Sequence, residues 1–308
     1  MNISEAAARI RVEIASQTWL DRPALTKARP QRLFHYTSQA GLLGIVSSNV
    51  LWATNALYLN DSSELDYGLT VAREKLRSVL QRSDPVNELL RRTDDLLKLQ
   101  VLLPNRSFYA CCFCEESNLL SQWREYADRG GGYAIGFDTD DLMRAGLKPN
   151  LSLFPVEYGY SGPNAELLTH DINVVCEAID RCIHKWPDDR DRLVSAASED
   201  MKLAIIFRVL GLKHEGFAEE REWRILANFD SSEFSRIHFR QGQTSLIPYV
   251  KLNFPFADDP NDRLPIREVV CGPSAHRELA FQSIVSLFQK FGFDPPDIWG
   301  STIPLRTP

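Results

Sequence analysis

Residues 217–226 read FAEEREWRIL, and this segment is the most informative stretch of the chain. Its apolar residues predict a strand over about 221–227. Because side chains alternate along a strand, we expect Glu220, Glu222 and Arg224 to share one face. A neighbouring carboxylate raises the pKa of one carboxyl group, and a guanidinium lowers the pKa of the carboxyl group that it pairs with. One carboxylate can then stay ionised and stabilise positive charge, while the other accepts a proton. The alternative is a solvated strand face with a surface ion pair.

Periodicity places the other elements around this segment. Aromatic and β-branched runs predict strands at about 32–36, 107–113, 132–137, 151–160, 235–239, 246–252 and 266–271, a short one near 298, and an extended segment over 51–59. Apolar residues every three or four positions predict helices up to about 20 and over 38–48, 119–127 and 275–291. The same spacing predicts a helical hairpin over 62–103 and a helical insertion over 165–211. Strands joined as hairpins, with helices grouped between them, favour an α+β fold with a mixed or antiparallel central sheet.

No internal repeat, low-complexity run or long Gly/Ser linker marks a boundary between domains. We therefore expect an N-terminal helix and loop over 1–30. A single α+β domain is expected over 31–308, and it would contain both the helical hairpin and the helical insertion.

The composition excludes several classes of protein. Of the 308 residues, 44% are hydrophobic and 25% are charged, which is typical of a globular chain and not of a disordered or fibrous one. No apolar run approaches the ~20 residues that cross a bilayer, and charges interrupt the first helix, so neither a membrane span nor a secretory signal is expected. The six cysteines are unevenly spaced, which predicts reduced thiols. We expect a cytoplasmic protein.

The segment LFHYTS at 33–38 holds a histidine inside a short apolar strand. Thr37 or Ser38 has a structural explanation as the cap of the next helix. His35 has none, so it is a candidate functional residue, although lone strand histidines are more often part of the core.

Two other motifs are open to both a structural and a functional interpretation. The sequence NDSSE at 60–64 fits a capping box, with Asp61 as the cap and Glu64 reaching back, but with His35 these oxygens could hold a divalent metal. Trp123 and Tyr126 lie one helical turn apart, which provides either a stacking surface for a ring or helix-to-sheet packing. The cysteines at 111, 112 and 114 lack a second pair at zinc-finger spacing, so burial is expected for them.

Taken in order, the motifs HYT (35–37), NDxxE (60–64), WxxYAD (123–128), GFD (136–138) and ExEWR (220–224) resemble those of a large bacterial family of proteins of unknown function. The resemblance covers roughly residues 32–302. It implies membership of a family but no reaction.

The layout also resembles the ADP-ribosyltransferase fold, with a histidine on the first core strand and a glutamate on a late one. The resemblance implies NAD as substrate and no metal. In that superfamily the histidine binds the adenosine ribose, an aromatic ring stacks on nicotinamide, and the glutamate binds the nicotinamide ribose. By this resemblance, His35 would bind the adenosine ribose and Glu222 the nicotinamide ribose. The ring that stacks on nicotinamide would be that of Tyr36, Tyr58 or Tyr67. Glu220 would orient or activate an acceptor. The remaining residues of the expected NAD site are Thr37, Asn60, Trp123, Tyr126 and Arg224.

Three functions follow as expectations. The first is an NAD-dependent ADP-ribosyltransferase or NAD glycohydrolase that acts as an intracellular toxin or phage-defence effector, with a nucleic acid or protein as acceptor. The second is a metal-dependent nucleic-acid-cleaving enzyme that uses His35, Asp61 and Glu64. The third is a non-catalytic nucleotide-sensing adaptor that binds a partner protein through its helical insertion.

Overall fold

A computed structural model describes residues 2–15, 29–59, 62–79, 83–98, 106–127, 131–145, 151–159, 163–230, 234–242, 245–253, 263–273 and 276–304. The helices are α1 (Ile3–Ala15), α2 (Gln39–Ser48), α3 (Ser62–Val79), α4 (Asp84–Leu96), α5 (Leu120–Tyr126), α6 (Thr139–Ala145), α7 (Pro163–Lys185), α8 (Arg190–Val209) and α9 (Arg277–Lys290). The strands are β1 (Arg32–Thr37), β2 (Leu51–Asn55), β3 (Arg106–Cys114), β4 (Tyr133–Asp138), β5 (Leu151–Pro155), β6 (Glu157–Tyr158), β7 (Leu212–Lys213), β8 (Glu222–Asp230), β9 (Ile237–Gln241), β10 (Leu246–Leu252), β11 (Ile266–Cys271) and β12 (Asp297–Gly300). In the described ranges, no helix combines the length and apolar character needed to cross a membrane.

The chain divides into two compact units. The helical unit comprises 1–26, 60–106 and 157–218, and the sheet unit comprises 27–59, 107–156 and 219–308. The N-terminal helix, which we expected outside the main domain, thus belongs to one unit with the helical hairpin and the helical insertion, which we expected within it.

The helical unit forms where apolar residues repeat at helical spacing. A proline can begin a helix because the first turn needs no amide hydrogen bond, and Pro85 accordingly lies at the start of α4. Trp186 separates α7 from a short 3₁₀-helix that opens with Pro187, so the helical insertion consists of two long helices, α7 and α8. Helix α8 is buried along much of its length, and Arg11 on α1 forms an ion pair with its Asp200 at 2.8 Å.

The sheet unit is built on one mostly antiparallel sheet. Its strand order is β12-β11-β4-β1-β3-β2-β10-β9, with β8 paired to β3 and β5 paired to β8. The pair β11–β12 is parallel, whereas β4 is antiparallel to both β1 and β11. The predicted α+β class with a mixed or antiparallel sheet is therefore confirmed.

Strand β3 is a branch point of this sheet because it pairs with β1, β2 and β8. Its registered contact with β1 is the pair Phe34↔Cys114, and its contact with β2 lies further back, at Thr54↔Ala110. His35 follows Phe34 on β1, and its ring contacts β3 through the carbonyl of Cys112.

Helix α5 packs against this region through an apolar cluster. Trp123 is completely buried, lies edge-on to Tyr36 at 4.8 Å between ring centroids, and donates its indole N–H to Asn118. The hydroxyl of Tyr36 donates to the carbonyl of Glu116 at 2.9 Å and accepts from the amide of Leu119 at 3.0 Å. Tyr36 therefore fixes the chain that leads into α5.

Replacing Tyr36 with phenylalanine is expected to lower the free energy of unfolding by about 1–3 kcal/mol, because it removes the partner of a backbone amide and a backbone carbonyl. Urea denaturation measures the change. Tyr58→Phe is the matched control, since Tyr58 is 42% exposed. Equal stability of the two variants would contradict this role of Tyr36.

Candidate functional site

A small cavity in the sheet unit brings together several of the predicted site residues. Its volume is about 60 Å³. Of the residues selected from the sequence, those that line it are His35, Tyr36, Tyr126, Glu220 and Glu222. The lining residues that the sequence did not indicate are Phe34, Cys112, Phe113 and Gln122. The early histidine and the late acidic pair thus face one cavity.

The other selected residues lie elsewhere. Thr37, Tyr58 and Trp123 do not line the cavity, and Trp123 is a core residue with no free face for a ligand. Tyr67 belongs to the helical unit, where it packs against His214 at 5.6 Å between ring centroids. Asn60 lies outside the described residues.

Glu222 and Arg224 form a buried ion pair. They stand two residues apart on β8, so their side chains emerge on the same face, as predicted. The guanidinium donates from Nε to one carboxylate oxygen at 2.6 Å and from Nη2 to the other at 2.8 Å. Glu222 is 6% and Arg224 is 2% exposed. The alternative of a solvated strand face is therefore wrong.

Glu220 lines the cavity, but it does not lie on the strand that was predicted to hold it. It ends a 3₁₀-helix, Glu215–Glu220, whereas β8 begins at Glu222, so the alternation of a strand does not apply to it. Between the two, Arg221 has a φ of 42°, a left-handed conformation that costs a non-glycine residue energy. Arg221 is held there by an ion pair with Glu116 and by its carbonyl, which accepts from the amide of Glu115.

His35 presents a neutral imidazole to the cavity. Its Nδ1 lies 2.8 Å from the carbonyl oxygen of Cys112, which can only accept, so Nδ1 carries the proton. Burial lowers the pKa of His35. The hydrogen bond to the carbonyl of Cys112 acts in the opposite direction, and the positive charge of Arg240 lowers the pKa further. With Nδ1 protonated and the ring neutral, Nε2 is a hydrogen-bond acceptor.

The lowered pKa of His35 predicts that acid destabilises the protein. At a pH between the folded and the unfolded pKa of this histidine, the unfolded state binds more protons than the folded state. The contribution of His35 to stability is therefore complete above the unfolded pKa of about 6.5, and it decreases as the pH falls below that value, by at most about 1.4 kcal/mol per pH unit. His35→Gln is expected to flatten this dependence when unfolding free energies are compared at several pH values. His184→Gln, at an exposed position, is expected to keep it. An unchanged slope in His35→Gln would contradict the assignment.

Cys112 contributes a thiol rather than a thiolate. Burial raises its pKa well above the ordinary value, and the neighbouring carboxylate of Glu222 raises it further. A protonated thiol is a weak nucleophile, so Cys112 is part of the wall of the cavity and not a candidate for covalent catalysis.

Gln122 is one of the lining residues that sequence reasoning missed, and it carries a side-chain amide. It precedes Trp123 on α5 and lies four residues before Tyr126, a spacing that places Gln122 and Tyr126 on one face of the helix. We considered the pair Trp123 and Tyr126 instead, because both are aromatic. The burial of Trp123 shows that the helix is rotated so that Gln122 and Tyr126 face the cavity.

In the part of the chain that the structure describes, no group of three or more His, Cys, Asp or Glu residues could hold a metal ion. The metal site considered from the sequence would use Asp61 and the side chain of Glu64 with His35. Asp61 lies outside the described residues, and of Glu64 only the backbone, in α3, is described.

Comparison with known proteins gives one match. Neither the curated proteins nor the solved structures contain a match to the chain. Residues 122–225 match the model of a family described as "Protein of unknown function (DUF2971)". The matched span begins at Gln122 and includes Glu220, Glu222 and Arg224, but it does not reach His35. Over this span the chain is similar to a family whose description names no activity.

Proposed function

We propose that the protein cleaves the bond between nicotinamide and ribose in NAD, as an ADP-ribosyltransferase or an NAD glycohydrolase. One observation supports the proposal above all: His35 and Glu222, which the resemblance to ADP-ribosyltransferases pairs on NAD, line the same cavity. The mostly antiparallel sheet and the acidic pair on and beside a late strand agree with the same comparison.

The chemistry requires an anion aimed at the sugar. As the glycosidic bond breaks, its electron pair moves to the ring nitrogen of nicotinamide, and positive charge develops on the ribose. The carboxylate of Glu222 would stabilise that charge, and the two hydrogen bonds from Arg224 hold this carboxylate in one orientation. Nicotinamide leaves as a neutral molecule, so no general acid is required.

The fate of the ribose depends on the nucleophile. Water gives hydrolysis, and a hydroxyl or amine of a nucleic acid or protein gives transfer; in either case the new bond forms at the carbon that nicotinamide leaves. Glu220, which lines the same cavity, is the group that would accept the proton of this nucleophile. In a cell, consumption of NAD or modification of an essential acceptor would make the protein a toxin or a phage-defence effector.

The size of the cavity limits what it can hold. At about 60 Å³ it is well below the ~300 Å³ at which pockets for whole small molecules begin. The proposal therefore places only part of the nicotinamide end of NAD in it, and the rest of the dinucleotide lies outside the cavity.

Release of nicotinamide tests the proposal. The purified protein is incubated with NAD, with and without cell lysate as a source of acceptors and with and without EDTA, and nicotinamide is quantified by chromatography. Release that resists EDTA supports the proposal. Binding of NAD without release would instead favour the nucleotide-sensing adaptor, and Mg²⁺-dependent cleavage of nucleic acid without release would favour the nuclease.

A further inference from the structure

The side-chain amide of Gln122 is positioned to hydrogen-bond a ligand in the cavity rather than another group of the protein. Gln122 is 8% exposed and lines the cavity, yet within the described ranges its side chain makes no hydrogen bond. Among the described residues, the side-chain atoms that are both closed off from solvent and without a partner do not include this amide, so the amide of Gln122 stays in contact with the space of the cavity. An unpartnered amide that faces a cavity therefore indicates a polar group that arrives with the ligand.

We propose that Gln122 recognises the carboxamide of nicotinamide, an inference that rests on the proposed function. Two primary amides are complementary, because each presents a carbonyl acceptor and an N–H donor side by side. A pair of hydrogen bonds between Gln122 and the carboxamide satisfies both groups and fixes the rotation of the pyridine ring.

The charges of the cavity favour the same ligand group. Its lining includes the carboxylates of Glu220 and Glu222, of which Glu222 is paired with Arg224 behind the wall, and the described lining residues themselves include no lysine or arginine. The nicotinamide ring of NAD carries a positive charge and a neutral amide, which these carboxylates accept. Nicotinic acid has a carboxylate in place of the amide, so it loses the donor that pairs with Gln122 and meets like charges.

The test compares two dinucleotides that differ at this one group. Wild-type protein is given NAD and nicotinic acid adenine dinucleotide, and kcat/KM is measured for each. We expect a preference for NAD of about 10- to 100-fold, because the acid leaves Gln122 without its full set of partners. Gln122→Met, of similar length but without the amide, is expected to reduce the preference about tenfold, chiefly through KM.

Glu125→Gln is the matched control. Glu125 is exposed on the same helix and does not line the cavity, so its variant is expected to keep the wild-type preference. Equal kcat/KM values of the wild type for the two dinucleotides would overturn the inference while leaving the proposed function in place. Equal wild-type values need no variant, so they overturn the inference even if Gln122→Met does not fold. An unchanged preference in folded Gln122→Met would overturn it as well, because the carboxylates of the cavity would then account for the preference without Gln122.

A binding measurement separates this inference from the proposed function. If neither dinucleotide is cleaved, the proposed function fails, and nicotinamide and nicotinic acid are then titrated into the wild type by calorimetry. Binding of the amide in preference to the acid would support recognition by Gln122. Equal binding, or no binding of either, would overturn it.

Discussion

Replacing Arg224 with methionine is expected to lower the free energy of unfolding by about 3–5 kcal/mol, the largest change in stability that we predict for one substitution. Glu222 and Arg224 are both nearly inaccessible to solvent, and two hydrogen bonds join them. Without the guanidinium, a buried carboxylate loses its counter-charge and two of its donors. Urea denaturation monitored by circular dichroism measures the difference.

Arg221→Met is the control for this prediction. Arg221 is only three residues away, but its ion pair with Glu116 is exposed, with 55% and 49% of the two side chains accessible. Such pairs contribute about 0–1 kcal/mol, so a small change is expected. The double substitution Glu222→Met with Arg224→Met is expected to recover much of the lost stability, since it removes both charges. Equal losses in Arg224→Met and Arg221→Met would contradict the assignment of a buried pair.

Replacing Glu222 with glutamine is expected to lower the rate of nicotinamide release by about 10²–10³-fold, with a smaller effect on KM. Glutamine keeps the shape of the side chain but removes the negative charge that the proposed mechanism directs at the ribose. The measurement is the steady-state rate of release from NAD, with thermal unfolding of each variant as a check on folding.

Glu219→Gln provides the matched control, because Glu219 lies in the same 3₁₀-helix as Glu220 but is exposed and does not line the cavity. Its rate is expected to equal that of the wild type. If Glu222→Gln retains the full rate, Glu222 has no part in the reaction, and the proposed mechanism is wrong even if NAD is cleaved.

Much of the sheet follows from local sequence patterns. Strands β10 and β11 occupy the ranges predicted for them, 246–252 and 266–271, because these short runs are rich in β-branched and aromatic residues, which favour strands. The ends of β8 could not be predicted in this way. A left-handed Arg221 is rare for a residue with a side chain, so the sequence contains no sign that the strand begins only after it.

Local sequence patterns could not predict the division of the chain into two units either. The helices of the helical unit come from three separate parts of the chain, and which of them pack together depends on contacts between distant residues. A similar limit applies to Gln122. Helix α5 has seven residues, too few for its periodicity to reveal which face is buried, and the pairing of Trp123 with Asn118 and Tyr36 decides it.

The most direct test of the account is the crystal structure, with NAD bound, of Glu222→Gln, the variant that is expected to cleave NAD slowly. We predict that the nicotinamide ring occupies the cavity beside His35 and residue 222, with its carboxamide within hydrogen-bond distance of Gln122. NAD bound elsewhere on the chain, or an empty cavity at a saturating concentration of NAD, would contradict the claim that these residues form a nicotinamide site.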